Sequence, residues 1–554
     1  MSIKLNWFEK LQNFSYLLFL VLASLSFSAS VQGQNLIWAK KMGGTTRDYG
    51  NAVTIDGSGN VYTTGYFEGT ADFDPGPNVA NLTSAGFTDI FISKLDASGN
   101  FLWAKRIGGT GEDQGKAIAA DRFGNVHITG HFVGTVDFDP GTGTTNFNSA
   151  GYDDIFISKL DGSGNLIWAR QIGGSLEDNG LSIDVDVAGN VYTTGRFAST
   201  VDFNPALSVA NLTSAGVSDI FVSKLDASGQ YVWAKRMGGP SGDVGRSLAL
   251  GSNGEILLTG HFNETADFDP GPGTFNLNSA GNSDIFISKL DASGNLVWAK
   301  RTGGSDFDFG ISLVYRSGYI FTVGQFEGTM DADPYILGLF NLTSLGEDDI
   351  VLSKLDESGN LIWAKRFGGT GFDYGSSVAI DGLGEVYLAG YFENTVDFDP
   401  GAGVTNLTSA GLRDIFVVKL DAPGNFIWAR RMGGTSHDEC FSMVVDALGT
   451  AFLTGQFAAT SDFDPSSNVA NLTSAGIYDV FVLKLSGNPV SVQSGSWTNP
   501  ATWSCTCIPT VTDVVFLRNT VNLPDGSSQP VRRLIYSNTG RLIFGAGSTL
   551  QASN

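Results

Sequence analysis

Between Trp103 and Leu160 the chain alternates four times between a short apolar run and a polar turn. "LWAKRIGG" is an apolar run that ends in a glycine pair, and "KAIAAD" follows it. The turn "RFGN" leads into "VHITGHF", a longer loop carries "VDFDPG" and "NSAG", and "DIFISKL" then turns through "DGSGN" into the next "LIWAR". β-Branched and aromatic residues fill the runs, while Gly, Asn and Asp fill the turns, the pattern of strands joined by hairpins. The unit reads as four short antiparallel strands.

The unit repeats. Tryptophan in the frame "WAK" or "WAR" stands at Trp38, Trp103, Trp168, Trp233, Trp298, Trp363 and Trp428, each 65 residues from the last. Seven four-stranded units predict an all-β fold, a seven-bladed β-propeller over residues 34–487. The chain begins its repeats with "LIWAK", the fourth strand of a blade, and leaves them after "DVFVLKL" at Leu485, the third. The first strand therefore completes the last blade and closes the ring. "DIFISKL" is apolar on both faces, as a strand between neighbouring blades requires. The basic pairs after the tryptophan, such as Lys40–Lys41 and Lys105–Arg106, place that strand at the outer rim, where lysine discourages edge pairing. The tryptophans are expected to pack between blades; sugar-stacking platforms are the alternative.

The segments "DASGNFLWAKRIGG", "GNVYTTGYFEGTADFDPG" and "LTSAGFTDIFISKLD" resemble the bacterial SBBP-type β-propeller repeat, over roughly residues 34 to 487. That resemblance implies a propeller in a secreted or cell-surface protein. It brings no catalytic residues with it.

The seven copies align with one another. The short turns share one face of the ring; the long "DFDPG" loops and the blade-to-blade "GGxxxDxG" loops share the other. The most variable position there follows the glycine of the "TTGYF" strand and is occupied by Tyr66, His131, Arg196, His261, Gln325, Tyr391 and Gln456. Its neighbours Gly65 and Phe67 recur in every blade. All seven side chains are large and form hydrogen bonds, so they make a candidate ligand-binding ring at one mouth. A solvated rim that drifts freely gives the same pattern. The slot before each "DIF" strand also varies: Phe87 and Thr88, Tyr152 and Asp153, Leu412 and Arg413.

The long loops carry acidic pairs at Asp72/Asp74, Asp137/Asp139, Asp267/Asp269, Asp331/Asp333, Asp397/Asp399 and Asp462/Asp464, with Asp202/Asn204 in the third copy. These are candidate calcium ligands, with Asp89 and loop carbonyls as further donors. Calcium takes about six to eight oxygens, and the EF-hand pattern fails because Gly76 and Thr83 stand where ligands are needed. Asp ahead of Pro-Gly makes an Asx turn whose carboxylate accepts backbone N–H groups. The turn is the expected role, with no cofactor; calcium is the alternative.

Hydrophobic residues make up 42% and charged residues 16%, and the formal net charge is −23, which argues against nucleic acid or an anionic membrane as partner. Lys4 and Lys10 precede an apolar run from Tyr16 to Ala29, too short to span a bilayer of about 30 Å comfortably, so residues 1–33 read as a signal peptide. No later apolar run is long enough to span. The three cysteines (Cys440, Cys505, Cys507) are too few for a disulfide framework. Cys505 and Cys507 pair with each other, pair with another chain or stay free, and Cys440, where the other copies have glycine, is expected to be buried. From Asn488 to Asn554 the repeat gives way to a β-rich module, whole or truncated, in which "LIY" and "GRLIFGAG" resemble a β-solenoid or G8-like opening.

HExxH, GxSxG and metal-type CxxC pairs are absent. Near Gly115–Lys116 the phosphate-loop pattern fails at Thr110 and Ala117. "DASGNFLW" is similar to an Asp-box turn, but its spacings are each one residue too long. The expectation is an exported, extracellular, non-catalytic, monomeric propeller that binds a protein or glycan at the cell surface. A secreted carbohydrate-active enzyme and a structural spacer are the alternatives.

Overall fold

The computed structural model describes residues 35–552, apart from 205, 207, 336–338, 506 and 538. The segment read as a signal peptide lies outside the described residues. In blade one, Asp48–Ile55, Val61–Phe67, Asp89–Leu95 and Phe101–Gly109 form one antiparallel sheet in that order, from the centre of the ring outward. Seven such sheets make the propeller. Neighbouring blades meet through their innermost strands and are linked there by hydrogen bonds. Asn51 Nδ2 donates to the Gly115 carbonyl (2.8 Å), and the Leu248 and Leu313 N–H groups donate to Ser182 and Ser247 Oγ (3.2 and 3.1 Å). Leu36–Gly44 pairs antiparallel with Asp479–Leu485, running from Leu36 opposite Leu485 to Met42 opposite Val480, and this closes the ring. Among the described residues no helix is long and apolar enough to cross a membrane.

Packing follows the repeat. Every residue of Asp89–Leu95 is buried, because this strand is sandwiched between blades. The tryptophans sit between an outer strand and the next blade's turn: Trp103 Nε1 donates to the Gly162 carbonyl (3.2 Å), and its ring meets Tyr62 edge-on at 6.1 Å. The phenylalanine of "DFDPG" is a core residue. Phe73 is fully buried, 5.3 Å from Phe67 and 4.8 Å from Phe91 between ring centres.

The outer rim departs from expectation. The long loop of each blade forms a short hairpin of its own, such as Thr135–Asp137 with Asn146–Asn148, which pairs with the end of the preceding blade's outer strand at Gly108 and Gly109. The tryptophan strand lies at the outer rim but is covered at its final glycine pair, and the second residue of its basic pair is not an edge guard. Arg106 is bonded to the buried Asp89, and Arg236 and Arg366 hold the buried Asp219 and Asp349 at 2.6 Å. A buried carboxylate needs such a partner. Blade two uses the neutral Gln171 on Asp154 (2.6 Å), and the closing strand supplies Lys41 to Asp479 (3.4 Å).

A second buried carboxylate faces each of these across the blade interface. A Cβ on Gly43 would lie 2.7 Å from the Asp479 carboxyl carbon and 2.9 Å from Asp48 Oδ2, so the glycine pair keeps room for both acids. Asp48 accepts the Gly44 N–H at 2.6 Å, yet burial raises it to about 7.

Cys440 is free and fully buried. The glycine at its position in blades one and two faces a threonine hydroxyl of the preceding blade, 2.4 Å from a built Cβ on Gly50 and 2.5 Å from one on Gly115. Ahead of Cys440 that threonine is Ala389, in the same buried cluster, and this leaves room for the thiol. Beyond the ring, Trp497 and Trp503 pack edge-on at 4.9 Å, and Cys505 and Cys507 form a disulfide. Strands Val514–Leu517, Thr520–Leu523 and Ser528–Val531 pair in parallel with Arg533–Tyr536, Arg541–Phe544 and Thr549–Ala552. The module docks on blade six, where Glu385 joins Lys419 (2.6 Å) and Arg532.

Candidate functional site

The seven variable ring residues follow the shared glycine of each second strand, opposite an equally variable position on the innermost strand. Tyr66 pairs with Tyr49, His131 with Gln114, His261 with Val244 and Tyr391 with Tyr374. They are not a freely solvated rim. His131, His261, Gln325, Tyr391 and Gln456 are all under 10% exposed, and Tyr66 and Arg196 are half-buried. The strand holds them below the mouth, and the side chains of adjoining blades cover them.

Each engages its neighbours. Tyr66 stacks on Tyr49 at 4.7 Å, and Tyr49 stacks on Phe441 across the first and last blades at 6.4 Å. Tyr391 stacks on Tyr374 at 5.1 Å, with the Arg413 guanidinium 5.2 Å from its ring. Gln456 Nε2 donates to Glu439 (2.6 Å), Gln325 Nε2 donates to Asp348 (3.3 Å), and Arg196 pairs with Glu177 (3.1 Å). Burial lowers both histidines to about 3, helped by Lys116 and Arg196 at His131 and by Arg246 and Arg196 at His261. Both are neutral at physiological pH. Burial also lowers Lys116 to about 8.

Comparing repeats at a single strand missed the second tier of variation. A bulge in the innermost strand, with its register shift between Gly50 and Ala52 in blade one, sets off the residue between them. That position holds Asn51, Lys116, Leu181, Arg246, Ile311, Ser376 and Phe441. The signal was present as a variable residue after the glycine of "YGNAV" and "QGKAI". The slot before the third strand divides in two. Its second residue is tucked in, as at Thr88 (7% exposed), while its first stands out: Phe87 72%, Tyr152 67%, Val217 74%, Leu412 54% and Ile477 51%.

The acidic pairs, candidate calcium ligands by sequence, bond the backbone of their own turns. In all seven blades the first aspartate (Asp72, Asp137, Asp202, Asp267, Asp331, Asp397, Asp462) accepts two N–H groups through one oxygen at 2.7–3.1 Å. The second aspartate caps the turn that follows. Asp74, Asp139, Asp269 and Asp399 each accept a glycine N–H at 2.8 Å, from Gly76, Gly141, Gly271 and Gly401 in turn. Asp333 accepts the Tyr335 N–H at 3.0 Å and Asp464 the Ser466 N–H at 2.9 Å, so the cap persists where the glycine does not. Asp89, considered as a further donor, bonds Arg106 and the Ala85 N–H (3.0 Å) through Oδ2 alone. Among the described residues no three His, Cys, Asp or Glu side chains are grouped to hold a metal ion, and Asp74, Asp139, Asp269, Asp399 and Asp464 each cap a turn.

Residues 37–66, 102–131 and 167–196 match the SBBP beta-propeller repeat. The chain is 25% identical over 538 residues to an uncharacterized WD repeat-containing protein of Acanthamoeba polyphaga mimivirus, covering 81% of this chain and 38% of that one. It is 25% identical over 434 residues to the regulatory protein FlaEY of Caulobacter vibrioides, covering 72% of this chain and 43% of that one. It thus spans about two fifths of the length of either relative. Among solved structures, the WD40 beta propeller domain of Doa1 covers 82% of this chain at 11% identity with a TM-score of 0.36. The Pan2 WD40 domain of Neurospora crassa covers 78% at 10% identity with a TM-score of 0.34. The three matched stretches each span an outer strand, the next innermost strand and most of its second strand, and the same positions recur in the other four copies; the chain is a propeller-repeat protein.

Proposed function

We propose that the chain is a non-catalytic propeller that presents its long-loop face to a protein partner at the surface of the exporting cell. The observation that carries this is the exposed arc of Leu412, Ile477, Phe87, Tyr152 and Val217, one position on five consecutive blades, each more than half exposed. Exposed apolar side chains gathered on one face mark interaction sites. A protein suits this arc better than a glycan, because the stacked tyrosines lie beneath the mouth rather than open on it. The enzyme reading is weaker, because His131 and His261 are buried and neutral, and His261 packs on Phe309 at 4.6 Å. The two relatives, a WD repeat-containing protein and a regulatory protein, fit a binding role. A spacer role draws support from the C-terminal parallel ladders, which we read as two coils of a β-solenoid.

The test is capture of surface proteins by the immobilised full chain, with cross-linking, against the variant Phe87→Ser/Tyr152→Ser/Leu412→Ser. Loss of the captured protein at unchanged melting temperature is expected. Equal capture by the variant would refute the reading.

A further inference from the structure

Blade five differs from the others at the long-loop mouth. Asp306 precedes its innermost strand, and Glu327, Glu347 and Asp348 stand in its long loop. With Phe372 of blade six they line an open depression of about 400 Å³. At the four equivalent positions every other blade carries at most one acid: Glu68 in blade one, Asp153 in blade two and Glu393 in blade six, the last paired with Arg413 at 3.0 Å. Among the described residues none of the blade-five four makes a salt bridge. Arg366 of this blade is already taken by Asp349 at 2.6 Å.

One of the four is built into the fold. Asp348 is only 7% exposed, and its Oδ1 has no hydrogen-bond partner among the described residues, while Oδ2 accepts from Gln325 at 3.3 Å. An unsatisfied buried carboxylate oxygen is costly unless a ligand completes it. Burial, with the charges of Glu327, Glu347 and Asp349, raises this carboxyl to about 6. All of these causes act in one direction.

We propose that this depression docks a basic side chain, the ammonium of a lysine or the guanidinium of an arginine, carried by the protein that binds the mouth. The inference rests on the reading of the mouth as a protein-binding face. The chemistry favours an organic cation over a metal ion. The carboxylates are not grouped closely enough to supply the several oxygens calcium requires, whereas a long basic side chain reaches between them. Phe372 borders the depression on the blade-six side, where its ring already carries the Arg413 guanidinium at 5.1 Å, so the four carboxylates carry the attraction. The exposed apolar arc begins on the neighbouring blade at Leu412, so one segment with a basic residue beside apolar ones meets both features.

The experiment titrates the full chain with a fluorescein-labelled Gly-Lys-Phe-Lys-Gly peptide, and with the same peptide carrying norleucine for lysine, by anisotropy at low and high salt. The lysine peptide should bind, more weakly at high salt, and the norleucine peptide should not. Asp348→Asn and Glu347→Gln should each weaken binding by about tenfold or more; Glu347 is exposed, so its variant leaves the core intact. Glu68→Gln in blade one should bind as the parent does. Equal binding by the blade-five variants, or calcium chloride bound there with no peptide binding, would overturn the proposal. If the apolar-arc variant loses its captured partner while the peptide ignores blade five, this inference alone fails. If the arc variant captures normally, the reading of the mouth fails with it.

Discussion

Replacing Phe138 with alanine asks whether "DFDPG" is a core plug or a metal loop. Phe138 is fully buried, and the rings of Phe132, Phe147 and Phe156 lie 5.2 Å from it. Truncating such a side chain costs about 3–5 kcal/mol, including the cavity it leaves. Asp137→Asn keeps an oxygen for the Asp139 and Thr145 N–H groups (3.0 and 2.8 Å) and loses only the charge, at a cost of about 1–2 kcal/mol. The hydrophobic half of the motif should therefore outweigh the acidic half. Urea unfolding followed by tryptophan fluorescence measures both, read as a midpoint shift at constant m. Blade five supplies an internal check. It carries Ala332 in place of the plug and Val351 where the other third strands carry phenylalanine, with Met330 buried beside them. The pair has changed together, so Phe138→Ala with Phe156→Val should cost less than the sum of the single changes. Each experiment is repeated with excess calcium and with chelator, because calcium at a hundredfold excess over its dissociation constant adds about 2.7 kcal/mol per site. A cost below about 1 kcal/mol for Phe138→Ala, or a calcium shift that Asp137→Asn abolishes, would refute the reasoning.

Two further outcomes follow from buried groups. Ala389→Thr restores the residue found in most other blades but drives its hydroxyl toward Cys440; it should destabilise by about 1–3 kcal/mol, and Cys440→Gly should relieve it, as a double-mutant cycle in urea would show. Burial raises Asp243 and Asp438 to about 6, and Asp48, Asp113, Asp178, Asp308 and Asp373 to about 7. Their folded pKa values lie above the unfolded value, so this stabilisation is complete below about pH 4 and is lost as pH rises through 6 to 7. The turn aspartates Asp56, Asp121 and Asp186 are held low by N–H and asparagine donors and act oppositely, losing their contribution only in stronger acid. Melting temperature at fixed ionic strength should therefore fall from pH 5 to pH 8; a flat or rising profile would contradict the burial argument.

The blade order was legible because its signals are local. "GSGN" turns, β-branched runs and the tryptophan spacing each specify a neighbour in sequence, and the closing strand follows from where the repeats start and stop. What escaped was the pairing between blades. The hairpin Thr135–Asp137 looked like a loop because three-residue strands carry no alternation to detect. Its partners Gly108 and Gly109 belong to the preceding blade and have no side chain to advertise the contact. Arg106 read as an edge charge for the same reason, since its buried partner Asp89 lies 17 residues away.

The ring at the mouth was legible as variation but not as depth. Repeats aligned on one another show which positions differ, and Tyr66, His131 and their equivalents do. Whether a varying side chain reaches solvent is decided by the next blade, through residues at unrelated sequence offsets: Lys116 lies over Tyr66, and Phe309 closes on His261 at 4.6 Å. Buried positions in a repeat array can vary when their neighbours vary with them, as Cys440 does with Ala389. Variation alone therefore does not separate a ligand site from a repacked interface. Exposure does, and it moves attention from the ring to Phe87, Tyr152 and Leu412 beside it. Charge left unpaired does so again at blade five, where four acids collect and, among the described residues, none makes a salt bridge.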